Sequence, residues 1–270
     1  NEEFFKEHMA GIDYFKVKAS LGQSGNDRAN EGTFPYMTTF SQNANPVVVI
    51  DGVPVSAIYT NPLQNPDLKW ETSTTTNVGF ESTFLNGKFG VDFEWFYRYT
   101  KDILGTVANL YPPSIGGYYP GLANIGEADN RGFDAQIRYR ETFGDFRIGV
   151  TGNINWSTNR YLKLDEADGI PSWQSLIGKP IGTKIGFIAD GMVQSWEEAA
   201  NTPSPSSGIV APGFFKYRDV NGDGKITRTE DMTYIGRANV PELMYGLAID
   251  LAYKGFDFSA LLQGAGRSAV

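Results

Sequence analysis

Apolar and polar side chains alternate along several stretches of the chain. In GVDFEWFYRYT (90–100) the odd-numbered positions are all valine or aromatic, and the even-numbered positions include Asp92, Glu94 and Arg98. Successive side chains of a β-strand point to opposite faces, so this pattern predicts a strand with one apolar and one polar face. The alternation recurs at 132–141, 146–156 and 243–253, and less strictly at 72–83 and 256–264.

The length and the ends of these stretches favour membrane-spanning strands. Each covers about 9 to 11 residues, which a tilted strand needs to cross a bilayer. The apolar faces end in tyrosine or tryptophan, as the aromatic girdles of outer-membrane barrels do. These girdle candidates are Tyr99, Tyr139, Trp156, Tyr245 and Tyr253. A soluble β-sandwich also alternates apolar and polar positions, and that alternative remains open at this stage.

Short and long connections alternate between the predicted strands. The short ones lie at 85–88, 141–145 and 254–255, and the long ones at about 25–70, 101–131 and 157–242. Outer-membrane barrels have short periplasmic turns and long extracellular loops. We therefore predict an all-β, antiparallel transmembrane β-barrel portion with long extracellular loops, in which 157–242 forms one large loop. About seven strands would span the membrane, near 14–22, 72–83, 89–99, 132–141, 146–156, 243–253 and 256–264.

Composition and charge narrow the choice of function. The chain has 270 residues, a net charge of −8 and no cysteine. An acidic chain does not attract nucleic acid, so we expect no nucleic-acid partner. The chain contains one histidine, His8, in a polar stretch, and no nucleophile motif such as G-x-S-x-G. We therefore expect no enzyme.

A calcium-binding pattern lies inside the predicted large loop, in DVNGDGKITRTED (219–231). Calcium loops follow D-x-[DN]-x-[DN]-G-x₅-E, with a backbone carbonyl as the ligand at the seventh position. The predicted ligands are Asp219, Asn221, Asp223, the Lys225 carbonyl and Glu230. The competing interpretation of Glu230 is a capping box, with Thr227 as the N-cap of a one-turn helix at 228–233.

We predict a seven-coordinate, structural calcium ion that holds the long loop folded. A site with a dissociation constant near 10⁻⁴ M, in about 1 mM calcium, contributes only about 1.4 kcal/mol. That free energy is enough to order a loop and too small to drive transport.

Several further stretches resemble the SusC/RagA-type TonB-dependent outer-membrane transporters, and they occur in the order that this family shows. They are KVKASLGQSGND (16–27), NPDLKWETSTTTNVGFE (65–81), RYTKDIL (98–104), NIGEADNRGFD (124–134), GKPIGTKIGFIADGMVQS (178–195), KYRDVNGDGKIT (216–227) and YKGFDFSALLQG (253–264). In this family an acidic residue stands shortly before the sequence TYIG, which is 233–236 here, and it is one position closer to TYIG than Glu230 is. The resemblance therefore implies Asp231 as the alternative last calcium ligand.

The resemblance implies a fold, a location and a set of partners. It implies a barrel of about 22 strands with a plugged lumen, in contact with outer-membrane lipid. It also implies import of an oligosaccharide or peptide substrate, a SusD-like lipoprotein as lid, and energy supplied through TonB. Aromatic residues of the loops would contact the substrate: Tyr111, Tyr118, Tyr119 and Trp173.

The chain also departs from the family. It shows no TonB-contacting segment, and about seven strands cannot close such a barrel, since an open sheet edge is not tolerated in lipid. We therefore expect residues 1–270 to be part of one barrel domain of a larger protein. NPVVVIDGVPV (45–55) resembles a strand of the family's plug, and it is interpreted either as a loop strand or as a plug segment. The alternative function is a soluble, calcium-stabilised β module, such as an adhesin or a carbohydrate-binding domain.

Overall fold

The architecture is all-β. A computed structural model describes residues 11–27, 36–43, 45, 48–61, 63–107, 109–116, 119–205 and 208–269. In chain order the strands are β1 (Ile12–Asn26), β2 (Phe40–Gln42), β3 (Val48–Ile50), β4 (Val53–Val55), β5 (Ile58–Thr60), β6 (Glu71–Phe84), β7 (Phe89–Thr106), β8 (Leu122–Phe143), β9 (Phe146–Lys163), β10 (Lys184–Gly186), β11 (Ala189–Met192), β12 (Ser204–Pro205), β13 (Phe215–Tyr217), β14 (Lys225–Ile226), β15 (Thr233–Gly236), β16 (Leu243–Tyr253) and β17 (Phe256–Gly266). Within the described ranges the helical elements are one 3₁₀ turn (Pro113–Ile115) and one short helix, α1 (Trp196–Asn201).

One large sheet carries the fold. Its strand order is β1-β6-β7-β8-β9-β16-β17, and every neighbouring pair is antiparallel. These seven strands coincide with the seven that the alternation predicts, and β9 pairs directly with β16, with no spanning strand between them. The prediction of an antiparallel portion of a barrel is confirmed.

Tight turns join the strands at one end of the sheet. β16 and β17 are linked by Lys254 and Gly255, whose φ angles of 46° and 88° place both residues in the left-handed region. Two successive positive φ values define the hairpin turn whose twist matches that of its flanking strands. β8 and β9 are joined by Gly144 and Asp145 alone. These short turns fix the register of the strands that they connect.

At the other end β8 and β9 extend well beyond the predicted strand limits. Their pairing continues through Asp129 opposite Arg160 to Glu127 opposite Lys163. Both Asp129 carboxylate oxygens accept hydrogen bonds from the Arg160 guanidinium, at 2.9–3.1 Å, and Asp129 is only 3% exposed. Local alternation did not reveal this extension because, beyond Phe133 and Trp156, charged residues such as Asp129 and Arg160 replace apolar ones on the same face.

Aromatic rings line up across the apolar face of the sheet. The ring centroids of Phe15 and Phe80, Phe80 and Phe93, Phe93 and Phe133, and Phe133 and Trp156 are 5.9–6.0 Å apart. Each contact joins neighbouring strands, so the row crosses β1 to β9. Such cross-strand aromatic pairs stabilise a sheet without needing a second layer.

The sheet has no hydrophobic core of its own. The buried apolar residues of the described part are Val107, Ala128, Val193, Ala199 and Ile226, and none lies in the aromatic row. Leu262 and Ile137, on the apolar face, are more than half exposed. An apolar face of this size must be covered by lipid or by another protein.

The 164–242 region between β9 and β16 is a separate small assembly. It contains three two-stranded sheets, β10–β15, β11–β13 and β12–β14, and the helix α1. The Ser195 hydroxyl caps α1 by accepting the Glu198 backbone N–H at 3.1 Å. Its small core is formed by Val193, Ala199 and Ile226.

Within the stretch at 45–55, residues 48–55 form a hairpin outside the main sheet. β3 pairs with β4, with Val48 opposite Val55, and β2 pairs with β5 around this hairpin. Val49 is 67% exposed. The stretch is therefore not a spanning strand.

None of the described helical segments combines the length and the apolarity that a bilayer-spanning helix requires.

Candidate functional site

The polar face of the sheet is a shallow, wettable surface. A cavity of about 810 Å³ opens on it, lined by polar side chains of β7, β8 and β9 that include Asp92, Gln136 and Asn153. Lys18 pairs with Asp92 at 3.0 Å, and the Asn155 amide donates to the Asp134 carboxylate. This face offers many hydrogen-bond donors and acceptors, as the interior of an aqueous barrel does.

The loop aromatics that were predicted to contact substrate lie at two separate places. Tyr111 and Tyr119 stack with their ring centroids 4.9 Å apart. Trp173 lies elsewhere, where its indole N–H donates to the Glu230 carbonyl at 2.8 Å. Tyr118, like His8, lies outside the described residues. Substrate contact by the tyrosine pair stays a prediction, whereas Trp173 also has a structural contact with the end of the calcium-like loop.

The calcium-like loop is tightly turned around the first acidic residue of the pattern. Asp219 Oδ1 accepts backbone N–H bonds from Gly222 at 2.6 Å and from Asp223 at 3.3 Å. Its Oδ2 accepts the Gly224 N–H at 2.7 Å. Gly224 has a φ of 83°, a conformation that side chains disfavour, which explains the glycine at this turn position. The Asp223 carboxylate in turn accepts the Lys225 N–H at 2.8 Å.

Asp231 closes this loop at its base. Its Oδ1 accepts the Val220 N–H at 2.8 Å, and its Oδ2 accepts the Thr227 N–H at 2.7 Å. Asp231 is 0% exposed, whereas Glu230 is exposed and lies 3.4 Å from the Thr227 hydroxyl. The acidic side chain that reaches back to the Thr227 backbone is therefore Asp231, and not Glu230 as the capping-box interpretation supposed. The Asp231 backbone N–H also donates to the Thr227 carbonyl, at 3.1 Å, and this bond closes a turn over residues 227–231.

Oxygen atoms dominate the loop, which is the donor chemistry that calcium prefers. Two aspartates, one asparagine and a backbone carbonyl lie within seven consecutive residues, 219–225. Among the residues that the structure describes, however, no three or more His, Cys, Asp or Glu side chains converge as a metal cluster. Asp219 and Asp231 instead use their oxygens to accept backbone N–H groups. The calcium ion stays a prediction.

Two ion pairs hold the small assembly beside this loop. The Arg218 guanidinium donates two hydrogen bonds to Asp190, at 2.7 and 3.0 Å, and so lowers the pKa of that carboxyl. Lys216 donates to Glu198 at 2.8 Å and so lowers the pKa of the Glu198 carboxyl. A hydrogen bond from the Gln194 backbone N–H lowers this pKa further. These pairs connect β13 to β11 and to α1.

A third charge cluster, which sequence reasoning missed, fixes the start of β16. Glu242 is 9% exposed, and its Oε2 accepts bonds from Arg237 at 2.7 Å and Arg267 at 2.8 Å. Its Oε1 accepts the Thr158 hydroxyl at 3.2 Å. No local sequence pattern predicts the cluster, because its members come from β9, from the 237–242 segment and from the residue after β17.

Comparison with known proteins agrees with this geometry. Residues 11–268 match the family model described as "TonB dependent receptor-like, beta-barrel". The TonB-dependent receptor P26 of Formosa agariphila is 27% identical over 285 residues, covering 98% of this chain and 27% of that relative. The TonB-dependent receptor SusC of Bacteroides thetaiotaomicron is 27% identical over 210 residues, covering 74% of this chain and 20% of SusC.

A solved structure shares the fold. The RagAB peptide importer in its "open-open" state superposes with a TM-score of 0.69 at 18% identity, over 98% of this chain and 27% of that chain. The chain thus spans about a quarter of the length of the proteins that it matches. From the family match, the antiparallel seven-stranded sheet and its uncovered apolar face, the chain belongs to the β-barrel family of TonB-dependent receptors, and its place is the outer membrane.

Proposed function

We propose that the protein to which this chain belongs imports glycan or peptide fragments across the outer membrane, with energy supplied through TonB. The observation that carries the proposal is the family match over residues 11–268. Support for the nutrient class comes from SusC among the relatives and from the likeness in fold to the RagAB peptide importer. The family is one of receptors rather than enzymes, and we propose no catalytic role for this chain.

Uptake by whole cells tests this function. Cells that carry the full-length transporter are given fluorescent oligosaccharides or peptides, and a strain without the transporter and a strain without TonB serve as controls. We expect uptake of one of the two classes only when both proteins are present. Uptake that persists without TonB would contradict the proposal, and the class taken up decides between glycan and peptide.

A SusD-like surface lipoprotein is the proposed partner. The 164–242 region is long, and exposed aromatic side chains such as Phe214 and Phe215 lie on it. Aromatic residues are enriched at protein interfaces. Pull-down of the full-length transporter from native membranes in mild detergent should recover the lipoprotein. Repeated recovery of the transporter alone would contradict the partnership.

We further propose that residues 219–231 bind a structural calcium ion. The proposed ligands are Asp219, Asn221, Asp223, the Lys225 carbonyl and the acidic residue at 230 or 231. Two observations support the proposal: the loop is already turned around Asp219, and its donors are oxygens. Asp231 is better placed than Glu230 to act as the last ligand, because it is buried against both ends of the loop.

Chelation tests the calcium site. In the full-length protein, removal of calcium should increase protease cleavage between residues 196 and 232, and added calcium should reverse the change. Asp219→Ala should give the chelated pattern even with calcium present, while Asp168→Ala, an exposed carboxylate outside the loop, should not. A cleavage pattern indifferent to calcium would show that Asp231 closes the loop without an ion.

The alternative hypothesis, a soluble calcium-stabilised module, has less support than the membrane barrel. A soluble domain would bury the apolar face of its sheet, and here that face is exposed at Ile137, Leu247 and Leu262. The family match also favours the membrane barrel.

A further inference from the structure

An apolar cavity lies inside the 164–242 region, beside the calcium-like loop. Its volume is about 870 Å³, within the range of cavities that hold ligands. We call it the aromatic pocket, and its principal lining residues are Phe187, Val210, Phe214, Phe215, Tyr217 and Ile226. The polar face of the sheet does not contribute to it.

Three parts of the fold build the pocket. Phe187 and Tyr217 contact each other with ring centroids 5.4 Å apart. Ile226, which is only 3% exposed, belongs to the calcium-like loop itself, in strand β14. Phe214 and Phe215, by contrast, are 58% and 59% exposed. The pocket thus combines buried apolar walls with two adjacent aromatic rings that water still reaches.

The edge of the pocket carries positive charge. Arg228 lines it, and Lys225 lies three residues earlier on the calcium-like loop. Within the described part of the chain neither side chain makes an ion pair, whereas the nearby Lys216 and Arg218 are both paired. An occupant with a carboxylate next to its apolar group would complement this edge.

The lining selects against a sugar. A glycan presents many hydroxyl groups, and each one buried without a hydrogen-bond partner is costly. The side-chain hydroxyls that the pocket offers come from Thr227, Thr229 and Tyr217, and most of its wall is hydrocarbon. An aliphatic or aromatic side chain of a polypeptide fits this chemistry better.

A permanent protein partner fits the exposed rings better than a transported peptide does. Adjacent exposed aromatic rings are a liability for aggregation unless they are covered most of the time. A partner of constant sequence can cover them continuously, whereas cargo of varying sequence occupies a site only briefly. Deep apolar anchors surrounded by a polar edge are also typical hot spots of protein interfaces.

We propose that the aromatic pocket anchors an apolar or aromatic side chain of the surface lipoprotein, and that a neighbouring carboxylate of that lipoprotein pairs with Arg228. The inference rests on the proposed function, because it assumes that such a lipoprotein associates with the transporter. It adds the place of contact and the chemistry of the contacting segment.

Binding measurements with the full-length transporter in mild detergent test the proposal. The probe is the purified surface lipoprotein that the pull-down from native membranes recovers with the transporter. We expect Phe214→Ala combined with Phe215→Ala to weaken its binding at least about tenfold, as loss of an interface hot spot does. Arg228→Glu should also weaken binding, with a larger effect at low salt than at high salt.

Matched controls separate the pocket from the general surface. Trp196→Ala removes an aromatic ring that is 72% exposed and does not line the pocket, and Lys163→Glu reverses an exposed charge at the end of β9. Both should leave binding within about twofold of the unaltered protein. Outer-membrane level and protease pattern are measured for every variant, to confirm that each one folds.

A photo-crosslinking residue gives a second, independent measurement. Placed at Phe214 or Phe215, it should link to a lipoprotein segment that contains an apolar residue next to an aspartate or glutamate, and placed at Trp196 it should not. This measurement does not depend on the alanine variants being stable.

The remaining outcomes test the pocket inference separately from the proposed partnership with the lipoprotein. If the unaltered transporter binds the lipoprotein and the pocket variants bind it equally well, the pocket inference is wrong while the partnership stands. If the unaltered transporter does not bind the lipoprotein at all, the proposed partnership itself fails. If the pocket variants lose peptide uptake yet keep the lipoprotein, the pocket is a cargo site and the inference is overturned.

Discussion

At the scale of single residues, Asp231 shows how one buried side chain organises a loop. Its two carboxylate oxygens accept backbone N–H groups from Val220 and Thr227, which lie at opposite ends of the turn. Trp173 adds a contact from a distant segment by donating to the carbonyl of the preceding residue, Glu230. The closed form of the loop therefore depends on a carboxylate that no solvent reaches.

Replacing this residue should open the loop. Asp231→Ala leaves the two backbone N–H groups without their acceptor, which costs about 1–3 kcal/mol for such buried groups. We expect faster protease cleavage between residues 196 and 232 in the full-length protein, even with calcium present. Glu230→Ala is the neighbouring control and should change cleavage little, because that side chain is exposed. Equal effects of the two substitutions would contradict the assignment.

The two ion pairs of the small assembly predict a response to acid. The pKa values of Asp190 and Glu198 lie below their ordinary values, because Arg218 and Lys216 stabilise the charged carboxylates. Their contribution to folding is therefore present above the ordinary carboxyl pKa, and it is lost as the pH falls through the lowered value. The side chains of both pairs are partly exposed to water, so the effect is small.

Pepsin cleavage of the full-length protein between about pH 2 and 5 measures this response. The 186–218 segment should resist pepsin near pH 5 and lose part of that resistance toward pH 2. With Asp190→Asn and Glu198→Gln combined, we expect weaker resistance at pH 5 and a smaller change on acidification. Asp168→Asn is the matched control. An unchanged pH profile in the double variant would show that the ion pairs do not hold the segment.

At the scale of secondary-structure elements, each long strand has one face suited to lipid and one face suited to water. Along β7 the apolar side chains belong to the face with the aromatic row, and the charged side chains belong to the face with the polar cavity. The same division holds in β8, where Ile137 and Gln136 are neighbours on opposite faces. Such alternation matches a strand between lipid and an aqueous interior.

Substitutions on the two faces should therefore differ in cost. In the intact barrel, Phe93→Arg or Ile137→Arg should destabilise the fold by about 2–4 kcal/mol if the position is near the bilayer midplane. Asp92→Ala and Gln136→Ala should cost little. Unfolding by denaturant in lipid or detergent measures the difference. Equal tolerance on both faces would contradict the membrane assignment of these strands.

At the scale of the whole molecule, the sheet is open. β1 and β17 are the outermost strands of the sheet in the part of the chain that the structure describes, and each pairs there with one neighbouring strand of that sheet. Open edges and an uncovered apolar face are both unfavourable in water and in lipid. The relatives are about four times longer, and their remaining length is where we expect the strands that close the barrel.

The isolated chain should consequently fail to behave as a soluble domain. Residues 1–270, expressed alone, should aggregate in buffer and remain dispersed only in detergent. Size-exclusion chromatography with and without detergent measures this directly. A monodisperse, folded chain in detergent-free buffer would favour the soluble calcium-stabilised module instead.

Local alternation is enough to predict the strand pattern, because each pair of neighbouring residues repeats the same apolar–polar signal. Alternation predicts the seven strands and their short turns, and the sheet contains them. It also predicts that no spanning strand lies between β9 and β16, and these two strands pair directly. Motif order identified the family in the same way. The positions of Asp219 and Gly224 within the calcium-like loop also follow from local spacing.

The features that join distant segments are visible only in the folded chain. The extension of β8 and β9 depends on the Asp129–Arg160 pair, and the base of the 164–242 region depends on Glu242 with two arginines. The choice of Asp231 over Glu230 as the closing carboxylate required knowing which side chain faces the loop. The aromatic pocket likewise has walls from segments more than 30 residues apart in sequence. Contacts of this kind leave no periodic signal, because their energy comes from packing that the chain brings together only after it folds.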